Sequence, residues 1–279
     1  MLTFSLKEGF SVRRAERAAL PVFRHEYKYV SPEGLLSSLQ RRLSAFMPLD
    51  PHAEGGQYSI RSVYFDDLYD TCFLENEDGA DPREKFRIRI YGTSKEHVTL
   101  ELKRKERGKC LKTACPIPLE TCGEILCGKI PRLATDQPYL LKKLICQMQF
   151  RALRPVVIVA YERVPFVWRT GNVRVTFDRN IRSSSKISSF FDEDLPCRPV
   201  LPAGVNMMEV KFDELLPDFI DHVLEARVLR QTAFSKYYLC RKFSMSQMIS
   251  QPHLIHDEAS QQIKTAIKKS NEKQNEVKQ

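Results

Sequence analysis

A chain of 279 residues with 42% hydrophobic side chains is long enough to bury a real core, and its composition excludes a disordered protein. Its 44 Lys+Arg against 35 Asp+Glu leave a net charge of +9, which favours a polyanionic partner: nucleic acid, a phosphate compound or an anionic membrane surface. The longest apolar run, VVIVA at 156–160, falls far short of the roughly 20 residues a membrane span requires. With no signal-peptide pattern at the N-terminus, the expectation is a soluble, cytoplasmic protein whose eight cysteines are reduced thiols.

Residues 1–20 are basic and weakly helical, an N-terminal helix or arm. FRHEYKYV (23–30) reads as a strand, and Ser31-Pro32-Glu33 then starts a helix with Leu35, Leu36, Leu39, Leu43 and Phe46 on an apolar stripe. SIRSVYFDD (59–67) is a strand, followed by a short helix and an acidic loop. KFRIRIYG, HVTLELKRK and CLKTACPI are three further strands separated by glycine-containing turns, and helices follow near 119–128 and 137–151. RPVVIVAYERVPFVW and NVRVTFDRNIR form a strand pair about Thr170-Gly171-Asn172, NMMEVKFDE is one more strand, and the chain reads as helical from about 215 to 250. Residues 251–279 are a polar tail, frayed or disordered. No repeat or linker interrupts the pattern, so a single α+β domain is expected.

KFRIRIY sets Lys85, Arg87, Arg89 and Tyr91 on one face of a strand and Phe86, Ile88 and Ile90 on the other. For one strand alone, the cations would simply face water. The asymmetry recurs, however. Arg24, Glu26 and Lys28 share a face, as do Glu101, Lys103 and Lys105; Arg174, Thr176 and Asp178 oppose Val173, Val175 and Phe177, and Glu209 and Lys211 oppose Met208, Val210 and Phe212. Tyr161 and Arg163 extend the series. Strands with one cation-dominated face, flanked by apolar-striped helices, fit a β-barrel whose outside packs on helices and whose basic inside surrounds a polyanion. Without an anion such a ring repels itself.

Glu26, Glu101 and Glu209 share these faces. Carboxylates without histidine or thiol partners suit a hard cation, Mg²⁺ or Mn²⁺, bridging to phosphate oxygens; the plainer alternative is that each pairs with a neighbouring Lys or Arg. Cys110, Cys115, Cys122 and Cys127 are spaced C-x4-C-x6-C-x4-C, a poor match to structural zinc sites, so buried thiols are the better reading.

The ordered series RHEYKY, SIRSVYFDD, KFRIRIYG, LELKRK, YER, NVRVTFDRNI, MEVKFDE and FSKYYLC resembles the VTC domain, a polyphosphate polymerase module of the triphosphate tunnel (CYTH-like) superfamily. The resemblance runs over about residues 22–243. It implies an antiparallel β-barrel tunnel that transfers the γ-phosphate of ATP to a growing inorganic polyphosphate chain, with Mn²⁺ or Mg²⁺. The phosphate-binding and catalytic positions it implies are Lys28, Arg87, Arg89, Lys103, Lys112, Tyr161, Arg163, Arg174, Lys211, Ser235 and Lys236, with Arg24 on the same face. Glu209 matches the family's metal-binding glutamate, and Glu26 and Glu101 are further candidates. Lys85 is the member of its strand left unassigned.

Phosphoryl transfer needs the triphosphate held in line and its charge neutralised, which arginine forks and lysine point charges supply without a nucleophilic side chain. The superfamily's hydrolases carry Glu-x-Glu-x-Lys on the first strand, where this chain has Arg24, Glu26 and Lys28; the lost first glutamate weakens a hydrolase reading. That reading stays open, as does a non-catalytic polyphosphate-binding module. Nucleic acid is not expected, because the basic faces carry few aromatics beyond Tyr91 and Tyr161. A membrane-protein partner at the inner face of a membrane is left open.

Overall fold

The computed structural model describes residues 22–224 and 229–250, and the readings for residues 1–20 and 251–279 lie outside them. The strands are β1 (His25–Pro32), β2 (Tyr58–Asp66), β3 (Arg83–Tyr91), β4 (Thr99–Glu106), β5 (Lys109–Pro116), β6 (Arg154–Trp168), β7 (Val173–Ser184), β8 (Arg198–Pro199) and β9 (Val205–Phe212). The helices are α1 (Glu33–Ser44), α2 (Thr71–Glu77), α3 (Leu119–Leu126), α4 (Tyr139–Arg151), α5 (Asp218–Leu224) and α6 (Lys236–Ser250). Pro32, Pro118 and Pro138 precede α1, α3 and α4, each with extended backbone that fixes where the helix begins.

The strands form one antiparallel sheet in the order β1-β9-β7-β6-β2-β3-β4-β5, with the two-residue β8 beside β7. The sheet curls until its ends meet. Arg24, just before β1, and Cys110 of β5 exchange backbone hydrogen bonds of 2.9 Å in each direction. Further along β1 the free edge takes a different partner: Thr232 N–H donates to the Lys28 carbonyl at 2.9 Å, and Tyr29 bridges Gln231. An unpaired strand edge exposes a row of backbone donors and acceptors, and residues 231–232 satisfy part of that row. This is where a helix running from 215 to 250 fails as a reading. The chain is helical over α5 and α6, but Leu229–Ser235 between them is not helical and meets the seam at Gln231 and Thr232.

The apolar faces point outward, as the alternation requires. Ile88, Ile90, Leu100 and Leu102 pack under α3 and α4 with Ile125, Leu141, Leu144 and Ile145. On the other flank Val175, Phe177, Met208 and Val210 pack under α1 and α5 with Leu36, Leu39, Leu43 and Ile220. A third cluster lies inside the curl. Val159 is opposite Ser62, which is opposite Arg89, so all three share the inner face; there Tyr237 and Cys240 of α6 pack with Val157, Val159, Tyr161 and Met207. At the β6–β7 connection Gly171 has φ +72°, and a Cβ there would stand 2.4 Å from the Leu215 carbonyl oxygen. Only glycine fits.

Candidate tunnel site

The curl encloses a cavity of about 740 Å³, lined by twelve Lys and Arg side chains against two carboxylates, Glu26 and Glu209. The cations come from β1 and the residue before it (Lys28, Arg24), β3 (Arg83, Lys85, Arg87, Arg89), β4 (Lys103, Lys105), β5 (Lys112), β6 (Arg163), β9 (Lys211) and α6 (Lys236). Period-two alternation puts the β3 and β4 side chains in line, and strand register sets them opposite one another: Lys85 faces Lys103 and Arg87 faces Glu101.

Glu101 anchors one group. Arg87 Nε and Nη2 stand 2.7 and 2.5 Å from its Oε2, while Arg89 Nη1 and Lys112 Nζ stand 3.5 and 3.4 Å from its Oε1. Burial alone would raise the Glu101 carboxyl, but Arg87, Arg89 and Lys112 outweigh it and hold the group well below the usual carboxylate range. Arg87 also donates to Tyr64 Oη at 2.8 Å and is fixed on every side. Arg89 differs. It is buried, yet its contacts to Ser62, Tyr161 and Glu101 are all 3.4–3.5 Å, so its fork is poorly used and open to a stronger acceptor.

Asp178 anchors a second group: Arg163 grips it with two bonds of 2.6 and 2.8 Å, and Lys236 Nζ stands 2.6 Å away. Burial works against the charge, but Arg163 and Lys236 keep Asp178 well below the usual carboxylate range. Tyr161 lies beneath, with Arg163 and Lys236 at 5.2 and 4.9 Å from its ring. Ser235 accepts from Tyr238 N–H at 3.3 Å, capping α6 and so placing Lys236 at the cavity wall.

The third group crosses the seam. Lys103 Nζ donates to Glu26 Oε1 at 2.7 Å, Lys211 Nζ lies 3.4 Å from Glu26 and 2.7 Å from Glu209, and Cys110 Sγ donates to Glu26 at 3.2 Å. Lys28 donates to the Phe234 carbonyl at 3.0 Å, tying β1 to the residues before α6. Burial lowers the Lys28 ammonium. Lys103 is deep in the protein but keeps 30% of its side chain open to the lumen; burial opposes its charge, and Glu26 outweighs it and raises the group.

Each predicted glutamate therefore pairs with cations. Glu101 has both oxygens taken and does not line the cavity. Glu26 and Glu209 do, as diagonal neighbours across β1 and β9. Glu209 Oε1 is buried and outside hydrogen-bonding geometry even to Lys211, and the carboxyl is lowered to about 2, its burial outweighed by Lys211. Two carboxylates facing one lumen fit the scheme in which a hard cation takes one or two carboxylates and completes its shell with phosphate oxygens and water. Among the described residues no three His, Cys, Asp or Glu converge as a self-sufficient metal site. That includes the four cysteines at 110–127: Cys122 is in the outer core, and Cys110 is on Glu26.

The structure does not bring Arg174 to the cavity. Its Nη2 binds Asp50 at 2.6 Å and Tyr58 Oη at 2.7 Å. Asp50 arrives from the loop after α1, a contact strand alternation cannot reveal. Arg24 stands at the mouth, bound to Asp213 at 2.8 Å and to the Asn172 carbonyl. Sequence reasoning passed over Asp178 as an anchor, Tyr64 as the brace of Arg87, and Lys85 as a lining residue. Asp178 and Tyr64 carried one available signal, since both alternate in phase with the basic face.

A curled antiparallel sheet around a cation-lined, helix-backed lumen defines a tunnel protein built for a polyanion. The sequence pattern of the VTC domain matches residues 23–245, and the chain belongs to that family. No curated protein matches the chain. Among solved structures, an adenylate cyclase candidate of Bacillus halodurans is 12% identical with a TM-score of 0.43, over 76% of this chain and 95% of that one. An adenylyl cyclase candidate of Hippeastrum, described as having a dominant triphosphatase activity, is 13% identical with a TM-score of 0.44, over 79% and 95%. At these values neither likeness bears on what this chain acts on.

Proposed function

We propose that the chain is an ATP-dependent polyphosphate polymerase, transferring the γ-phosphate of ATP to inorganic polyphosphate inside the tunnel. The observation that carries this reading is the lumen itself, with twelve cations against two carboxylates around one cavity. Family membership supports it. Arg89, whose contacts are all long, is the group best prepared to take phosphate oxygens, while Arg87 is held by Glu101 and Tyr64 as a fixed charge beside it. Arg163 and Lys236 on Asp178, with Tyr161, form a rigid basic wall. Lys28, Lys103 and Lys211 surround Glu26 and Glu209, which would hold Mn²⁺ or Mg²⁺. A metal bound there polarises the transferred phosphoryl group. The protein's share is otherwise positioning and charge neutralisation, which is most of what this reaction class requires.

Purified protein incubated with ATP and Mn²⁺ should yield long-chain polyphosphate and ADP. Orthophosphate without chains would replace this reading with a triphosphate hydrolase, and tight polyphosphate binding with no product would leave a binding module. Glu209→Gln should lower metal-dependent turnover at least about 10²-fold while sparing triphosphate binding. Loss of both would place Glu209 in folding rather than chemistry.

A further inference from the structure

We propose that Lys85, with Asn76, forms a further phosphate subsite of the tunnel, one that holds the part of an inorganic polyphosphate extending beyond the group gripped at Arg87 and Arg89. The inference rests on the tunnel binding polyphosphates and goes past the residues assigned above. Among the described residues most lumen cations have carboxylates: Glu101 for Arg87, Arg89 and Lys112, Glu26 for Lys28 and Lys103, Asp178 for Arg163 and Lys236, whereas Arg83 and Lys105 at the same end as Lys85 do not, Arg83 donating to the Ala80 carbonyl at 2.6 Å. Lys85 has none in ion-pair range. Its Nζ touches the neutral Asn76 Oδ1 at 2.5 Å and lies 4.8 Å from the Tyr237 ring centroid.

Every wall around it is accounted for. Arg83 flanks it on β3, Lys103 faces it from β4, Lys28 from β1, Cys72 and Glu75 from α2, and Tyr237 from α6. Burial, then Arg83, Lys103 and Lys28, push its ammonium down to about 7, and Glu75 does not restore it. A half-buried cation among cations, with only a neutral amide oxygen and a ring as partners, is best stabilised by an anion from outside. Asn76, whose amide can rotate to present N–H donors, completes a phosphate grip. Lys85 precedes Arg87 by two residues on the same face, roughly 6–7 Å along the strand, a span that a few bridged phosphates cover.

The test compares inorganic tripolyphosphate and pyrophosphate binding to the full chain by calorimetry, in wild type, Lys85→Met, Asn76→Ala and Arg89→Ala. Lys85→Met should weaken tripolyphosphate about tenfold or more and pyrophosphate far less, since one charged contact is removed. Wild type should take up a proton on binding tripolyphosphate at pH 8, read from two buffers of different ionisation enthalpy, and Lys85→Met should not. Arg89→Ala should weaken both ligands. Unchanged tripolyphosphate affinity and proton uptake in Lys85→Met, with Arg89→Ala impaired, would overturn the subsite and leave the tunnel standing. If Arg89→Ala is also unimpaired, the tunnel reading falls with it. Lys85→Met removes a half-buried charge that has no ion-pair partner and should melt no lower than wild type, so weakened binding is not misread as unfolding.

Discussion

At Glu101 one carboxylate is shared by three cations, and its removal shows what that is worth. Glu101→Gln leaves the buried Arg89 and the half-buried Arg87 uncompensated, and the loss should be about 3–5 kcal/mol of unfolding free energy by urea denaturation. Inorganic triphosphate should recover part of it by supplying the missing charge. Lys85 gives the opposite sign. With its folded pKa near 7 against about 10.4 unfolded, protonation costs the ligand-free fold below pH 7, and the cost fades as pH rises. Lys85→Met should therefore exceed wild type in stability most at neutral pH and lose that advantage by about pH 10. A gap that widens with pH would contradict it. Alternation alone put Lys85 on the basic face beside Arg87, but nothing local distinguished a lysine with a carboxylate from one without. That difference lies in Glu101, Asn76 and Tyr237, which the fold brings from other elements.

Among the elements, the seam is where the barrel is weakest. Backbone bonds at Arg24–Cys110 and at Lys28–Thr232 tie edges that the rest of the sheet leaves free. Thr232→Pro removes the donor to the Lys28 carbonyl and should cost about 1–3 kcal/mol. It should also weaken triphosphate binding, because Lys28 donates to Phe234 and the same segment leads into Ser235 and Lys236. In the wild-type chain, amide exchange at Thr232 and Cys110 would report the opening directly. Gly171→Ala tests the other end of the sheet: positive φ and a Cβ at 2.4 Å from Leu215 O should destabilise the β6–β7 turn by about 1–3 kcal/mol or more. Most elements were legible because two-residue and 3.6-residue periods reflect which face is dry. The non-helical run Leu229–Ser235 was not, because what breaks the helix is the β1 edge that Gln231 and Thr232 satisfy rather than the run's own pattern.

On the scale of the molecule, charge governs both stability and binding. Glu26, Glu101 and Asp178 are all held below their ordinary range by neighbouring cations despite burial. The stability they contribute is present above their ordinary values near 4 and is lost as pH falls through the lowered folded ones, so acid unfolding should begin below about pH 4.5. A melting temperature flat down to pH 2 would refute this. Triphosphate at a hundred times its dissociation constant should stabilise by about 2.7 kcal/mol. In thermal scans that is a shift of roughly 5–10 °C for a chain of this size. Raised salt at fixed ligand should erode the shift, less than for a surface site because the lumen is partly shielded. Among the described residues no helix is long and apolar enough to cross a membrane.

Read alone, the sequence determined the strands, the helices that back them, the inward cations and the family, because alternation and ordered motifs are local properties of a chain. Tertiary structure decided how those charges are shared. It gave Glu101 to three cations, Asp178 to Arg163 and Lys236, and Arg174 to Asp50 away from the cavity, and it left Lys85 without a carboxylate. An ion pair depends on distances between side chains far apart in sequence, and those distances exist only once the sheet has curled and closed.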